Sequence, residues 1–463
     1  MEKWNNLARR ERVDKIAAAV QRLCLLVVIA VEALFFLPGE TAAGLVYLFL
    51  EWKLVDVSIL FLAASCLRGQ FRESRRYFLL ALLAVAWFYV VRAAHMQLEL
   101  TNKEPGTFVC AYLLCFPFAA ASGDGKKQWG LKGMLLLFAT VGAVFGLYAV
   151  LLVTRHLPAC LDGHVFWDGA RFGTLGHPNI CATVLMVSAG MTAGVAVKTK
   201  RIGLKIPLFL LTALEFWALS LTNSRAAVVL TCVLLGGILF CWLRRPGWKR
   251  LMLALLAAAV TVAVLFCVSR WIFSWNNARL TEMAKQAQQT GEETGLTLDE
   301  NGRLQTENGQ SSFAKSLKTL NGRTEIWGAA VEGIRDNPRI LLIGTEKVGQ
   351  TISPHWKMEV QHSHSSWMEA LYQLGIPGLL AALALTGLAV WNGAVLLWRN
   401  TDLLHSCVVM VVLCLMGCAV MEPYLFVANA QFHYFDFLFL LCLGYMDQWR
   451  RQTRNRKGER IDV

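Results

Sequence analysis

Apolar runs of 15 to 24 residues recur along this chain from end to end, separated by short connections in which lysine and arginine cluster. About 20 apolar residues in a helix cross the roughly 30 Å of a bilayer's hydrocarbon, and only helices or closed barrels satisfy their own backbone there. The runs fall near 16–37, 43–66, 77–95, 107–121, 134–153, 177–197, 206–221, 226–243, 251–268, 375–397, 403–421 and 425–446. They predict an all-α integral membrane protein with about 12 transmembrane helices. Composition agrees: 56% hydrophobic and 17% charged residues exceed the apolar share of soluble domains and fall short of their charge. The first run follows Arg9, Arg10, Arg12 and Lys15 and has no small-residue cleavage site after it, so it reads as a retained first helix.

The net charge of +13 would suggest nucleic acid in a soluble protein. Here it is spread over short clusters at the amino terminus and near 68–76, 126–132, 198–205, 244–250 and 450–460, so no nucleic-acid partner is implied. By the positive-inside rule those clusters are cytoplasmic, as are both termini. The chain divides into N-terminal spans (1–153), spans with external Arg-bearing turns (154–268), a large external loop (269–364), C-terminal spans (365–449) and a basic tail (450–463). The expected place is the bacterial inner (cytoplasmic) membrane, with the active face outside.

The long connection Ser269 to Gln361 balances 11 basic against 11 acidic residues, so its specificity rests on individual side chains. Gln286 to Ser312 is polar and too poor in large apolar residues to offset ordering entropy by burial. Beyond it, Ile326, Trp327, Ala330, Val331 and Ile334 recur at helical spacing and predict an amphipathic helix over 323–337, ended by Pro338. Trp367, Met368, Leu371 and Leu374 predict a second over 365–374. Of 13 cysteines only Cys160 sits in a polar connection, and none pairs with histidine at metal-ligand spacing. No disulfide framework, metal site or cofactor is expected.

Four side chains stand out on the outer side: Arg171 in RFGTLGHPN, Arg225 in LTNSRAAV, Arg323 in NGRTEIW, and His364 in HSHSSW. Arginine at the outer end of a span runs against the positive-inside bias, and a guanidinium binds phosphate oxygens bidentately without losing its charge. Histidine as a residue type exchanges protons near neutral pH. Structural readings stand beside these. Arg225 can snorkel to headgroups or pair with Glu422, Arg323 can be a helix-start surface charge, and His364 or its neighbour His362 can be hydrogen-bonded in the fold. Glu32, Asp56, Glu215 and Glu422 are costly in lipid and should face the helix bundle, with Asp56 at pairing distance from Lys53 along a helix.

In this order the blocks GHPNICATVL (176–185), LTNSRAA (221–227), NGRTEIWGAAVEGIRDNPRILLIG (321–344) and HSHSSWMEALYQLGIPG (362–378) resemble the O-antigen ligase and polymerase family across roughly 165–440. Where that family has Asn after its histidine this chain has Ser365, which is shorter; by register the family histidine corresponds to His364. The resemblance implies a metal-independent, inverting glycosyltransferase. It would take a glycan from an undecaprenyl-pyrophosphate carrier outside the membrane and join it to an acceptor hydroxyl on a lipid, glycan or cell-wall molecule. It assigns Arg225 and Arg323 to the pyrophosphate and His364 to the acceptor, as general base or orienting group, with Arg171, Asn179, Ser365, Glu422 and His362 as further substrate-side residues. A polymerase joining carrier-linked repeat units would use the same donor. A transporter of lipid-linked sugars would instead carry ionisable residues and broken helices near mid-membrane in both halves, and a non-catalytic scaffold would not need the Arg and His residues.

Overall fold

The computed structural model describes residues 2–38, 44–49, 53–70, 75–95, 129–244, 247–290, 322–345, 348–355, 362–399, 402–426 and 433–458, with residues 110, 112, 113, 115, 298, 302 and 304 between them. In chain order the elements are α1 (Glu2–Phe35), α2 (Leu54–Leu67), α3 (Arg75–Ala94), α4 (Trp129–Thr154), β1 (Val165–Asp168), β2 (Arg171–Thr174), α5 (Pro178–Lys198), α6 (Ile202–Leu221), α7 (Arg225–Leu243) and α8 (Trp248–Thr290). They continue with α9 (Arg323–Asp336), α10 (Ile340–Ile343), α11 (Val348–Ile352), α12 (Ser366–Trp398), α13 (Leu403–Met421) and α14 (His433–Gly458). Among the described residues nine helices are long and apolar enough to cross a membrane, and the protein is a helical membrane protein.

The count of about 12 is not reproduced. Run 107–121 lies largely outside the described residues, and run 43–66 yields the shorter α2. Run 425–446 becomes α14, which carries Asp436 and, from Asp447 onward, a charged end. Two further differences have local causes. The connection expected from Ser269 begins later, because α8 continues unbroken for 43 residues to Thr290 and buries Ile272, Asn276, Leu280, Ala284 and Ala287 at helical spacing. Between α4 and α5 the chain forms a β-hairpin that four-residue strands do not announce by periodicity, pairing Val165 with Thr174 and Asp168 with Arg171. Beyond Thr290 the polar stretch expected at 286–312 falls mostly outside the described residues.

The described chain divides into two compact units, one of residues 1–134, 322–399 and 419–463, the other of residues 135–321 and 400–418. In the first, α9, α10 and α11 gather on Tyr372 of α12 around a core of Ile326, Ala329, Ala330, Ile340, Val348 and Ile352. Of the stripe expected over 323–337, Ile326 and Ala330 are buried in that core and Ile334 packs against it, whereas Val331 is 59% exposed. α12 is broken at Gly375 (φ 69°, ψ −169°), a conformation open essentially to glycine alone. A Cβ there would meet the backbone of Leu342, and one at Gly344 the backbone of Gln373. The break leaves carbonyls without helical partners, and other groups satisfy them: Thr345 N–H donates to Tyr372 O at 2.6 Å and Trp87 Nε1 to Leu374 O at 2.8 Å. The start of α12 is thus pinned to the segment that follows α9. Asp56 does not face the interior as expected; its side chain is 61% exposed, 3.7 Å from Lys53.

In the second unit α5 is buried along nearly its whole length, and small residues let neighbours approach it. A Cβ at Gly190 would meet Leu234 and Val411, and one at Gly194 would meet Cys407, which is how helices pack where lipid removes the hydrophobic drive between them. Glu215 of α6 is fully buried and accepts hydrogen bonds from Ser188 at 2.6 Å and Thr192 at 3.2 Å, as a carboxyl within a span must. The hairpin tip is fixed by the C-terminal part of α8: Ala170 packs with Leu280, Ala284 and Leu304, and Asn276 Nδ2 donates to Ala170 O at 3.3 Å.

Candidate active site

In the first unit the chain reaches α12 through His362, Ser363, His364 and Ser365. His364 holds a left-handed backbone (φ 53°), which costs a residue with a Cβ of order 1–3 kcal/mol unless its surroundings fix it. They do so at Ser363. Its N–H and Oγ both donate to Glu369 Oε2, at 2.8 and 2.7 Å, and its carbonyl accepts from Trp327 Nε1 at 3.0 Å. Glu369 lies one turn into α12, is 3% exposed and also accepts from Gln373. Ser365 is the N-cap residue of α12 and makes no side-chain cap bond.

His364 Nδ1 lies 3.2 Å from Glu422 Oε2, and the other carboxylate oxygen, Oε1, accepts from Arg323 Nη2. A carboxylate can only accept, so Nδ1 carries the proton and Nε2 is the nitrogen left basic in the neutral ring. Arg323 opens α9 after Gly322, which supplies φ 82°, and its Nε donates to Met421 O at 2.7 Å. The side chains of Arg323 and Glu422 are 12% and 13% exposed and that of His364 33%, so the dyad is sheltered while the imidazole stays reachable. Burial pushes the Glu422 carboxyl upward; the His364 hydrogen bond and the charges of Arg323, His364 and His362 outweigh it and hold the carboxyl at about 2. His362 stands edge-on to His364 with ring centres 4.3 Å apart. The Glu422 carboxylate thus meets one arginine and one histidine.

The second unit holds the other candidates. Arg171 starts β2, and its guanidinium is spread over three acceptors: Thr222 O at 3.0 Å, Asn179 Oδ1 at 2.7 Å and Asp168 Oδ2 at 3.5 Å. Asn179 is set by the first turn of α5, where His177 Nδ1 accepts its backbone N–H at 3.1 Å. Arg225 is the first residue of α7, after a turn in which Asn223 is left-handed (φ 51°) and Ser224 N–H donates to Thr222 Oγ1. Its charged neighbours are Arg270 and Arg171, so three guanidiniums surround one turn, an arrangement suited to an anion. Arg270 lies on α8, donates to Asn223 Oδ1 at 2.9 Å, and is hidden in the sequence as one of 11 basic residues of a neutral connection. Among the described residues no group of three or more His, Cys, Asp and Glu side chains stands where it could hold a metal ion.

No curated protein matches the chain. Residues 208–383 match the sequence model of the family described as O-Antigen ligase, a segment that takes in Arg225, Arg270, Arg323, Glu369 and both histidines and leaves Arg171, Asn179 and Glu422 outside it. That match supports the family that the four motif blocks imply, the O-antigen ligases and polymerases.

Proposed function

We propose that the protein transfers a glycan from an undecaprenyl-pyrophosphate carrier to an acceptor hydroxyl at the outer face of the bacterial inner membrane, without a metal cofactor and with inversion at the anomeric carbon. The observation that carries this reading is the His364–Glu422–Arg323 arrangement, a carboxylate-oriented imidazole whose basic nitrogen is turned away from its partner. In the step proposed, the acceptor oxygen forms a bond to the anomeric carbon, and the bond from that carbon to the pyrophosphate oxygen breaks. Its electron pair leaves with the pyrophosphate, and the hydroxyl proton passes to His364 Nε2. Charge builds on the leaving group, and fixed guanidiniums stabilise such charge without reorganising. By residue type Arg225 and Arg171, with Arg323, are assigned to that charge. Asn179 orients Arg171, Glu422 orients His364, and Ser365 and His362 flank the acceptor's path. The acceptor is a lipid, glycan or cell-wall hydroxyl; a second carrier-linked glycan in that place makes the same chemistry a polymerase.

The test is transfer by purified protein from a labelled undecaprenyl-pyrophosphate glycan to candidate acceptors with a chelator present. Transfer abolished by His364→Ala and by Arg225→Ala supports the assignment, and transfer unchanged in both sinks it. Absence of transfer to every acceptor, together with measurable flipping of the labelled lipid, would make the protein a transporter.

A further inference from the structure

The dyad is held on one side by Glu369, and what holds it on the other is a set of buried titratable groups with no part in the proposed step. Glu32 of α1 is 1% exposed, His433 2%, Asp436 1% and Tyr112 fully buried. Glu32 Oε1 accepts from Tyr112 Oη at 2.6 Å, and His433 Nδ1 lies 2.9 Å from Glu32 Oε2. Residues 401 positions apart are thereby joined in an environment where unpaired charge is costly. His433 and Asp436 lie three apart in the first turn of α14, so they share a face. Asp436 Oδ1 in turn accepts the backbone N–H of Phe426 at 2.8 Å.

Phe426 ends a short segment that begins at Glu422. Its φ of 60° is one that a phenylalanine keeps only under outside constraint. One residue earlier, Leu425 N–H donates to Ser366 Oγ at 2.9 Å, and Ser366 Oγ donates to Glu422 O at 3.1 Å. Tyr424 N–H donates to the same carbonyl at 2.9 Å. The segment is thus tied at its far end to Asp436, in its middle to the first residue of α12, and at its near end it carries the carboxylate that meets His364.

We propose that Glu32, Tyr112, His433 and Asp436 form a positioning cluster that fixes the first turn of α14, and through Phe426 and Ser366 sets the Glu422 carboxylate against His364 Nδ1. The inference rests on the transferase reading above and adds to it residues that touch no substrate. Its signature is specific. What Asp436 supplies to Phe426 is an acceptor oxygen, which asparagine keeps and alanine removes. Loosening Glu422 from His364 Nδ1 impairs the base and leaves the donor's contacts in place, so kcat falls while the donor KM is kept.

The experiment compares kcat and the donor KM for wild type, Asp436→Asn, Asp436→Ala, Ser366→Ala and His364→Ala in the full-length protein. Asp436→Asn is expected within about twofold of wild type. Asp436→Ala is expected to lose about tenfold in kcat with donor KM within about twofold. A wild-type kcat in Asp436→Ala, or an equal loss in Asp436→Asn and Asp436→Ala, overturns the inference. Should Asp436→Ala not fold, Ser366→Ala decides, since it cuts the same path at the other link; a wild-type kcat there overturns the inference equally. His364→Ala separates the two claims: if it is fully active the assignment of His364 as the base fails, whereas an inactive His364→Ala beside a wild-type Asp436→Ala leaves that assignment intact and removes the cluster.

Discussion

His364 and Glu422 lie 58 positions apart in the chain, yet Nδ1 of one stands 3.2 Å from Oε2 of the other, with Arg323 on the remaining carboxylate oxygen. The carboxylate fixes which ring nitrogen is protonated, and therefore which is basic. Replacing it by an amide keeps the volume but offers an NH2 group that can face Nδ1 and favour the wrong tautomer. Glu422→Gln is accordingly expected to lower kcat by about 10²–10⁴ with little change in donor KM, measured by glycan transfer at saturating donor. A wild-type kcat in Glu422→Gln would remove the orienting role.

Stability should respond to acid through the same carboxylate. Its folded value of about 2 lies below the ordinary 4.5, so the unfolded state binds the proton more readily and the contribution is whole above pH 4.5. It is lost as pH falls from 4.5 toward 2. At about 1.36 kcal/mol per unit the loss is on the order of 3 kcal/mol. Thermal unfolding in detergent across that window, compared between wild type and Glu422→Gln, isolates it: the variant should lack that part of the acid decline.

Much of the site is legible in the sequence because its signals are local. The helix from Arg323 shows as apolar spacing closed by Pro338, and the histidine block shows as polar residues meeting an apolar run. Other features depend on pairs that local patterns do not encode. Glu32 and His433 are 401 positions apart, Glu369 reads as one more polar position on a helix, and Arg270 is hidden among the charges of a neutral connection. The hairpin at Val165–Thr174 has strands too short for alternation to show, and α8 outlasts its apolar run because its later face buries against the hairpin tip.

The break in α12 makes its own demand on sequence. Gly375 adopts a conformation essentially closed to other residues, and a Cβ there or at Gly344 meets opposing backbone that cannot move aside cheaply. Gly375→Ala and Gly344→Ala are each expected to destabilise by about 1–3 kcal/mol or more and to disturb the dyad, because the start of α12 carries Ser365 and Ser366. Nearby Gly387 has open space around its Cβ position, so Gly387→Ala serves as the control. Equal melting temperatures for all three alanine variants would refute the argument.

Arg225 tests the anion reading in the second unit. Lysine keeps the charge but not the planar fork that binds two phosphate oxygens at once. Arg225→Lys is expected to weaken inhibition by added inorganic pyrophosphate by about tenfold, or about 1.4 kcal/mol, with Arg225→Ala weaker still. Inhibition that is identical in wild type and both variants would show that this turn does not hold the anion.

Glu215 separates packing from charge. The carboxyl is enclosed by Ser188 and Thr192, and a Cβ added at Gly142 would run into both Ser188 and Glu215. Ser188 Oγ also lies 2.5 Å from Phe138 O, so the hydroxyl cannot yield without losing a buried bond. Gly142→Ala is therefore expected to cost about 1–3 kcal/mol as overpacking. Glu215→Gln keeps volume and hydrogen-bonding capacity and should be tolerated, and Glu215→Ala should cost about 1–3 kcal/mol by removing the acceptor that Ser188 and Thr192 share and leaving a gap beside them. Melting temperatures of the three variants in detergent decide it, and a Glu215→Gln destabilised as much as Glu215→Ala would show that charge, not packing, is what this position supplies.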